Sequence, residues 1–153
     1  MEVFRLAREN RRYDLSGWGA HLFGGRWNLP GNALLYTAES RSLAAMESLV
    51  HLPSSALPDD MFMMRLDVPD TVSRLELTAD QLPTDWQRLS QPYATAQIGT
   101  LWLQNQRSAA LRVPSVVMPD EHNLLLNPKH PDFAAVQLLD ATPFHFDERL
   151  LKK

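Results

Sequence analysis

Residues 34–51 read LLYTAESRSLAAMESLVH and combine both kinds of secondary structure from which this fold is built. The apolar run Leu34-Leu35-Tyr36 predicts a buried strand. Ser40 then supplies a suitable N-cap for a helix over residues 40–51. Apolar side chains recur at helical spacing in that helix, at Leu43, Ala44, Met46 and Val50. The segment therefore predicts a strand that leads into an amphipathic helix.

Glu47 lies among the apolar positions of this helix. It is four residues from Leu43 and three from Val50, so it shares their face. A carboxylate that leaves water is costly unless a cation or a hydrogen-bond donor meets it. Glu47 is therefore either a partner in a structural ion pair or a group with a chemical role.

The densest polar cluster is Gly24-Gly25-Arg26-Trp27-Asn28. It belongs to residues 16–31, which hold five of the six glycines and therefore predict an irregular loop. Two interpretations stay open. The glycines could let the backbone approach a ligand while Arg26 pairs with a phosphate or carboxylate, or the cluster could be a turn with a solvated arginine. The spacing does not match the dinucleotide or P-loop fingerprints.

The second polar concentration comprises residues 113–115 (VPS) and residues 121–131 (EHNLLLNPKHP). Ser115 is either a turn residue or part of a reactive group, although no G-x-S-x-G elbow surrounds it. His122 and His130 lack a third well-spaced ligand, so we expect no metal site. Tyr36, at the end of its strand, is either a core residue with a hydrogen-bonded hydroxyl or a ring that stacks on a planar ligand.

The remaining patterns predict a mixture of strands and helices without regular βαβ alternation. We expect helices over residues 78–89, opened at Pro83, and 93–104, with Pro92 in the first turn. The predicted strands cover residues 3–6, 61–68, 111–113, 116–118, 124–126, 136–139 and 144–146. Over residues 61–68 the alternation predicts one buried face, formed by Phe62, Met64, Leu66 and Val68, and one open face, formed by Met63, Arg65 and Asp67. This pattern favours the α+β class, in one compact domain over residues 1–153.

Composition excludes several classes of protein. The chain has no cysteine, so it has neither disulfides nor a thiolate nucleophile. No apolar run has the length of a membrane span, and the N-terminus lacks a signal-peptide pattern, so we expect a cytoplasmic protein. The net charge of −3 argues against direct binding to nucleic acid. Five arginines in the first 26 residues could nevertheless meet an anionic small molecule.

Taken together, these motifs resemble the RES domain family, named for an arginine, a glutamate and a serine. The resemblance extends over essentially the whole chain, in the family's order. The matching residues are Phe4-Arg5; GGRWN with Gly31; Leu35-Tyr36-Thr37-Ala38, Leu43-Ala44 and Glu47; Ile98-Gly99 and Trp102; and VPS followed by Glu121, Asn123, LLNP and His130.

The resemblance implies the toxin of a bacterial type II toxin–antitoxin pair, with a mixed sheet like the catalytic core of ADP-ribosyltransferases. It implies NAD⁺ as substrate, with no prosthetic group and no metal. Cleavage of the nicotinamide–ribose bond could pass ADP-ribose to water, to phosphate or, as in an ADP-ribosyltransferase, to a cellular protein. The implied catalytic residues are Arg26, Glu47 and Ser115, and the implied substrate-binding residues are Tyr36, Gly25, Asn28 and Asn123.

The resemblance also implies a protein partner. An antitoxin with an Xre-like helix-turn-helix would cover the NAD⁺ pocket in a hetero-oligomer, and DNA would be contacted only through that antitoxin. Two other interpretations remain. A toxin acting on RNA is disfavoured by the net charge of −3, and a non-catalytic binding module is disfavoured by the intact set of Arg26, Tyr36, Glu47 and Ser115.

Overall fold

A seven-stranded mixed sheet forms the frame of the protein. The computed structural model describes residues 1–53, 56–89 and 93–151. The strands are β1 (Glu2–Arg8), β2 (Leu35–Ala38), β3 (Met61–Asp67), β4 (Arg74–Glu76), β5 (Ala110–Pro114), β6 (His122–Leu126) and β7 (Gln137–Phe144). The α-helices are α1 (Trp18–Phe23), α2 (Arg41–Leu49) and α3 (Tyr93–Asn105). Short 3-10 helices cover Glu9–Arg11, Ala79–Gln81, Pro131–Ala135 and Glu148–Leu151.

The strands stand in the order β4-β5-β6-β2-β1-β3-β7 across the sheet. β4 and β5 are parallel, and the other described neighbours are antiparallel. β1 pairs with β3 along its whole length, whereas its described pairing with β2 consists of Phe4 opposite Ala38. The described pairing between β1 and β2 is therefore short. Residues of the predicted site lie near this junction.

Apolar side chains are buried on both faces of the sheet. Along β1, Val3 and Ala7 join one buried cluster, while Phe4 and Leu6 join another on the opposite face. α2 packs against β1 and β2, and α3 adds Trp102 to a third cluster that contains residues of β5 and β6. The predicted α+β class with a mixed sheet is confirmed.

Two predictions about helices were wrong. Residues 16–31 contain α1, which lies between Gly17 at φ 68° and Gly24 at φ 69°. These two glycines flank the helix with positive φ angles, so the abundance of glycine did not indicate an irregular loop throughout. Residues 78–89 form one 3-10 turn, closed by a capping box between Thr78 and Gln81, followed by turns after Pro83. The predicted position of Pro92 lies outside the described residues.

Two predictions about strands were also wrong. Residues 116–118 are not a strand, because the amides of Val117 and Met118 bind the hydroxyl of Ser115 instead of a neighbouring strand. The two strands predicted over 136–139 and 144–146 are one strand, β7, which pairs with β3 from Gln137 to Phe144 across a bulge. β7 tolerates Pro143 because it is the edge strand of the sheet.

Candidate active site

The helix α2 holds Glu47 at the face of the sheet. Ser40 caps the helix, since its Oγ accepts the N–H of Leu43 at 3.1 Å, as predicted. Leu43 and Ala44 are buried and fix the helix against the sheet, whereas Val50 is 54% exposed and does not belong to the buried face. Glu47 is half-buried, at the boundary between this packed face and the solvent.

One carboxylate oxygen of Glu47 is held from two sides. Oε1 accepts a hydrogen bond from Ser115 Oγ at 2.8 Å and another from Asn123 Nδ2 at 2.6 Å. Ser115 follows the end of β5 and Asn123 lies in β6, so two paired strands bring both donors to Glu47. Within the described residues, Oε2 accepts no hydrogen bond. The carboxylate is thus oriented through one oxygen while the other stays available.

Ser115 has no hydrogen-bonding capacity to spare. Its side chain is buried, and its Oγ accepts the N–H groups of Val117 and Met118, each at 3.0 Å. A hydroxyl has two acceptor sites and one hydrogen, so the remaining hydrogen goes to Glu47. This arrangement orients the carboxylate and leaves Ser115 nothing with which to bind a further group.

Arg26 lies within electrostatic reach of Glu47. One guanidinium nitrogen, Nη1, donates to the carbonyl of Trp86 at 2.9 Å. Burial lowers the pKa of Arg26, and the negative charge of Glu47 and the phenol of Tyr36 act against that shift. The structure describes no ion pair between Arg26 and Glu47. The guanidinium therefore keeps donors for another partner beside the carboxylate.

Tyr36 ties the turn that carries Arg26 to β2. Its hydroxyl donates to Asn28 Oδ1 at 2.7 Å and accepts the N–H of Trp27 at 3.0 Å. Burial raises the pKa of Tyr36 well above its ordinary value, so the phenol is the neutral donor that this network requires. A Cβ on Gly25 would lie 2.6 Å from the Tyr36 oxygen, which explains why this position has no side chain.

Asn28 is part of the scaffold in this structure. It is 1% exposed, and its Nδ2 donates to the carbonyls of Ala20 at 2.8 Å and Asn32 at 2.9 Å. With Oδ1 taken by Tyr36, the amide hydrogens and the acceptor all have protein partners. The predicted role of Asn28 and Gly25 in binding substrate stays a prediction; their contacts here fix the turn around Arg26.

α3 supports the same turn from behind. A Cβ on Gly99 would lie 1.9 Å from the carbonyl oxygen of Trp27, so the helix touches the backbone of the turn. Thr100 Oγ1 accepts the N–H of Leu29 at 2.9 Å. Residues distant in sequence therefore hold Arg26 in place through its neighbours.

Arg5 lines the cavity at this site but was not among the predicted site residues. The sequence pointed to it only as one of the residues that carry the resemblance and as one of five arginines near the N-terminus. Arg5 lies in the middle of β1, and its Nη1 donates to the carbonyl of Tyr36 at 3.2 Å, across the short junction between β1 and β2. Its Nε is buried without a hydrogen-bond partner among the described residues, and burial lowers the pKa of its guanidinium. The signal that could have identified it as a site residue was its charge between the apolar Phe4 and Leu6 of a strand.

A cavity opens at this junction. It is lined by Phe4, Arg5, Leu6, Tyr36, Thr37, Ala38, Ala44, Glu47, Ser48 and Asn123. Three of the predicted site residues, Tyr36, Glu47 and Asn123, are in its wall. Arg26 and Ser115 are not in the wall. Ser115 is connected to it by its hydrogen bond to Glu47, and Arg26 by its electrostatic interaction with the same carboxylate.

Two further features concern residues 1–53, 56–89 and 93–151. No group of three or more His, Cys, Asp or Glu side chains in that part of the chain is placed to hold a metal ion. None of the helices described there has both the length and the apolar character required to cross a membrane.

The fold agrees with the family to which the chain belongs. The model of the RES domain matches residues 2–147, and this chain is a member of the RES domain family. Among its relatives is a protein of Sphingobium sp. (strain YBL2) named Prs ADP-ribosylating toxin, which is 41% identical in an alignment that covers 98% of this chain and 96% of that protein. The protein named Toxin Res of Yersinia enterocolitica is 40% identical, with 98% and 99% covered.

A solved structure has the same fold. One chain of the crystal structure of the M. tuberculosis MbcT–MbcA toxin–antitoxin complex matches with a TM-score of 0.76 at 21% identity. The match covers 94% of this chain and 83% of that chain. At this level of identity the likeness concerns the fold.

Proposed function

We propose that this protein is the toxin of a bacterial toxin–antitoxin pair and that it cleaves the bond between nicotinamide and ribose in NAD⁺. The observation that carries the proposal is the carboxylate of Glu47. It is anchored through Oε1 by Ser115 and Asn123 and stands in the wall of a cavity. The names of the relatives, toxins in each case and ADP-ribosylating in one, support the same class of activity.

The chemistry explains why an anchored carboxylate is needed. Breaking the nicotinamide–ribose bond builds positive charge on the ribose, in a state like the oxocarbenium ion of glycoside hydrolysis. A preoriented negative group stabilises such developing charge without having to reorganise during the reaction. With Oε1 held by the protein, we assign Oε2 of Glu47 to the ribose.

The other residues take supporting roles. Arg26 keeps guanidinium donors beside Glu47, and Arg5 has a buried Nε without a partner in the described chain; both suit an anionic substrate such as the pyrophosphate. The ring of Tyr36 lines the cavity while its hydroxyl is engaged elsewhere, so we assign the ring to the nicotinamide. Ser115 and Asn123 act through Glu47.

A second candidate function is transfer of ADP-ribose to a cellular protein. The specific observation in its favour is the name of the Sphingobium relative, Prs ADP-ribosylating toxin, at 41% identity. Both reactions use the same bond cleavage and the same Glu47, and they differ in whether water, phosphate or a protein side chain accepts the ribose. Labelled NAD⁺ separates them, because transfer leaves the label on protein.

We also propose a partner and a place of action. A cognate antitoxin with an Xre-like helix-turn-helix would cover the cavity in a hetero-oligomer, and DNA would be reached through it. The structural likeness to a chain of a toxin–antitoxin complex supports a protein partner. The proposed substrate, NAD⁺, is a metabolite of the cytoplasm, so we expect the toxin to act there.

The experiment is to measure NAD⁺ after adding purified protein free of antitoxin, with and without inorganic phosphate. Glu47→Gln keeps the shape and removes the charge, and we expect it to lose at least a hundredfold in turnover, about 2.7 kcal/mol. Glu148→Gln, at an exposed position, is the matched control and should be as active as the native chain. Native turnover in a folded Glu47→Gln variant would contradict the role of Glu47. NAD⁺ left intact by the native protein would contradict the degrading activity and favour a protein acceptor.

A further inference from the structure

Arg41 stands at the edge of the same cavity but was not assigned to the site. Ser48 lines the cavity from α2, and Arg41 precedes it by seven residues in the same helix. Positions seven apart on an α-helix lie on nearly the same line, about 20° apart. The side chain of Arg41 therefore leaves α2 on the side that faces the cavity, two turns before Ser48.

A direct contact confirms this direction. The guanidinium carbon of Arg41 lies 4.4 Å from the centre of the Phe4 ring. Phe4 is 7% exposed and belongs to the cavity wall. Arg41 itself is exposed, so its charge rests on the wall of the cavity at the surface of the protein.

Unlike Arg65 and Arg112 of the sheet, Arg41 has no acidic partner among the described residues. Arg65 binds Glu2 and Asp140, and Arg112 binds Glu39 and Glu76. For Arg41, by contrast, residues 1–53, 56–89 and 93–151 supply neither an ion pair nor a hydrogen bond to the guanidinium. All its N–H donors are therefore open to an anion that enters the cavity.

We propose that Arg41 binds the phosphate of the AMP portion of NAD⁺, an inference that rests on the proposed function. At 1.5 Å per residue, Arg41 is displaced from Glu47 by about 9 Å along the axis of α2. If Glu47 faces the ribose that carries nicotinamide, the AMP portion extends away from it, and a cation farther along the helix suits the phosphate of that portion. An arginine binds phosphate oxygens through two parallel N–H bonds, which the open donors of Arg41 permit.

The test compares Arg41→Gln with native protein for turnover of NAD⁺ and of nicotinamide mononucleotide, which lacks the AMP portion. We expect KM for NAD⁺ to rise at least tenfold, about 1.4 kcal/mol, while kcat changes less than twofold. Arg41→Lys should recover part of the loss because it keeps the charge. Arg107→Gln, which changes an exposed arginine outside the cavity wall, is the matched control and should leave KM unchanged.

Three results would overturn the assignment. The first is an unchanged KM for NAD⁺, and the second is a loss confined to kcat. The third is an equal rise in KM for nicotinamide mononucleotide, because the contact would then lie on the half of the substrate that carries nicotinamide. A titration with ADP-ribose distinguishes this proposal from the proposed function. If native protein leaves NAD⁺ intact but binds ADP-ribose more tightly than Arg41→Gln does, the cleavage is refuted and the phosphate contact is supported. Equal binding, or no binding to native protein, overturns the contact.

Discussion

Replacing Ser115 by alanine tests whether this residue acts on catalysis only through Glu47. The hydroxyl makes three hydrogen bonds, one to Glu47 Oε1 at 2.8 Å and two to the amides of Val117 and Met118 at 3.0 Å. All three are lost in Ser115→Ala. Glu47 then keeps Asn123 as its single described donor and can rotate away from the orientation that the pair of donors imposes.

The size of the effect follows from the kind of bond. A hydrogen bond to a charged group contributes about 1.5–3 kcal/mol, and a neutral one about 0.5–1.5 kcal/mol. Val117 and Met118 are only half-buried, so water can replace part of what their amides lose. We therefore expect the free energy of unfolding to fall by about 2–3 kcal/mol. If the loss of one hydrogen-bond donor to Glu47 destabilises the transition state by the free energy of one charged hydrogen bond, kcat falls by about 10- to 100-fold.

The assay combines urea denaturation with turnover of NAD⁺ for four proteins: native, Ser115→Ala, Glu47→Gln and the double variant. If Ser115 acts through Glu47, adding Ser115→Ala to Glu47→Gln should cause little further loss of turnover. A further loss in the double variant as large as in the native background would refute the reasoning, because Ser115 would then act independently of Glu47. Ser115→Thr keeps a hydroxyl and should retain more activity than Ser115→Ala.

Two other changes test the scaffold around the site. Gly99→Ala should destabilise the fold by about 1–3 kcal/mol or more, because the new Cβ would lie 1.9 Å from the carbonyl oxygen of Trp27. Gly19→Ala is the control and should not destabilise the fold, because a Cβ there meets nothing within 4 Å. Thermal melting of the two variants compares them. Burial raises the pKa of Tyr36 above its ordinary value of 10.0, so the unfolded chain ionises Tyr36 first as the pH rises. The free energy of unfolding should therefore fall above about pH 10, and Tyr36→Phe should reduce this fall; identical pH profiles in urea denaturation would contradict it.

The sequence was informative where local pattern and burial coincide. The alternation over residues 61–68 predicted β3, and the N-cap Ser40 marked the start of α2, which the structure confirms. Even there, burial was only partly predicted. Met63, assigned to the open face of its strand, is 4% exposed because α2 and its neighbours cover that side of the sheet.

The wrong predictions share a physical cause. Glycine permits many backbone conformations, so residues 16–31 could equally encode a loop or, as they do, a short helix with a left-handed glycine at each end. Residues 137–144 form one strand because β3 offers a continuous partner. The local sequence carries no information about which strand will be the partner, and the length of a strand depends on that partner.

By itself, the sequence determined the α+β class, the position of the Glu47 helix and the identity of a small set of polar residues worth placing together. Only the tertiary structure decided what each of them touches. In it, Ser115 and Asn123 donate to one oxygen of Glu47, and Asn28 holds the scaffold. Arg5 lines the cavity, and Arg41 packs on Phe4 of the cavity wall. The reason is that burial and periodicity follow from the order of nearby residues in the sequence. A hydrogen bond between residues 68 or 76 positions apart depends instead on which strands become neighbours.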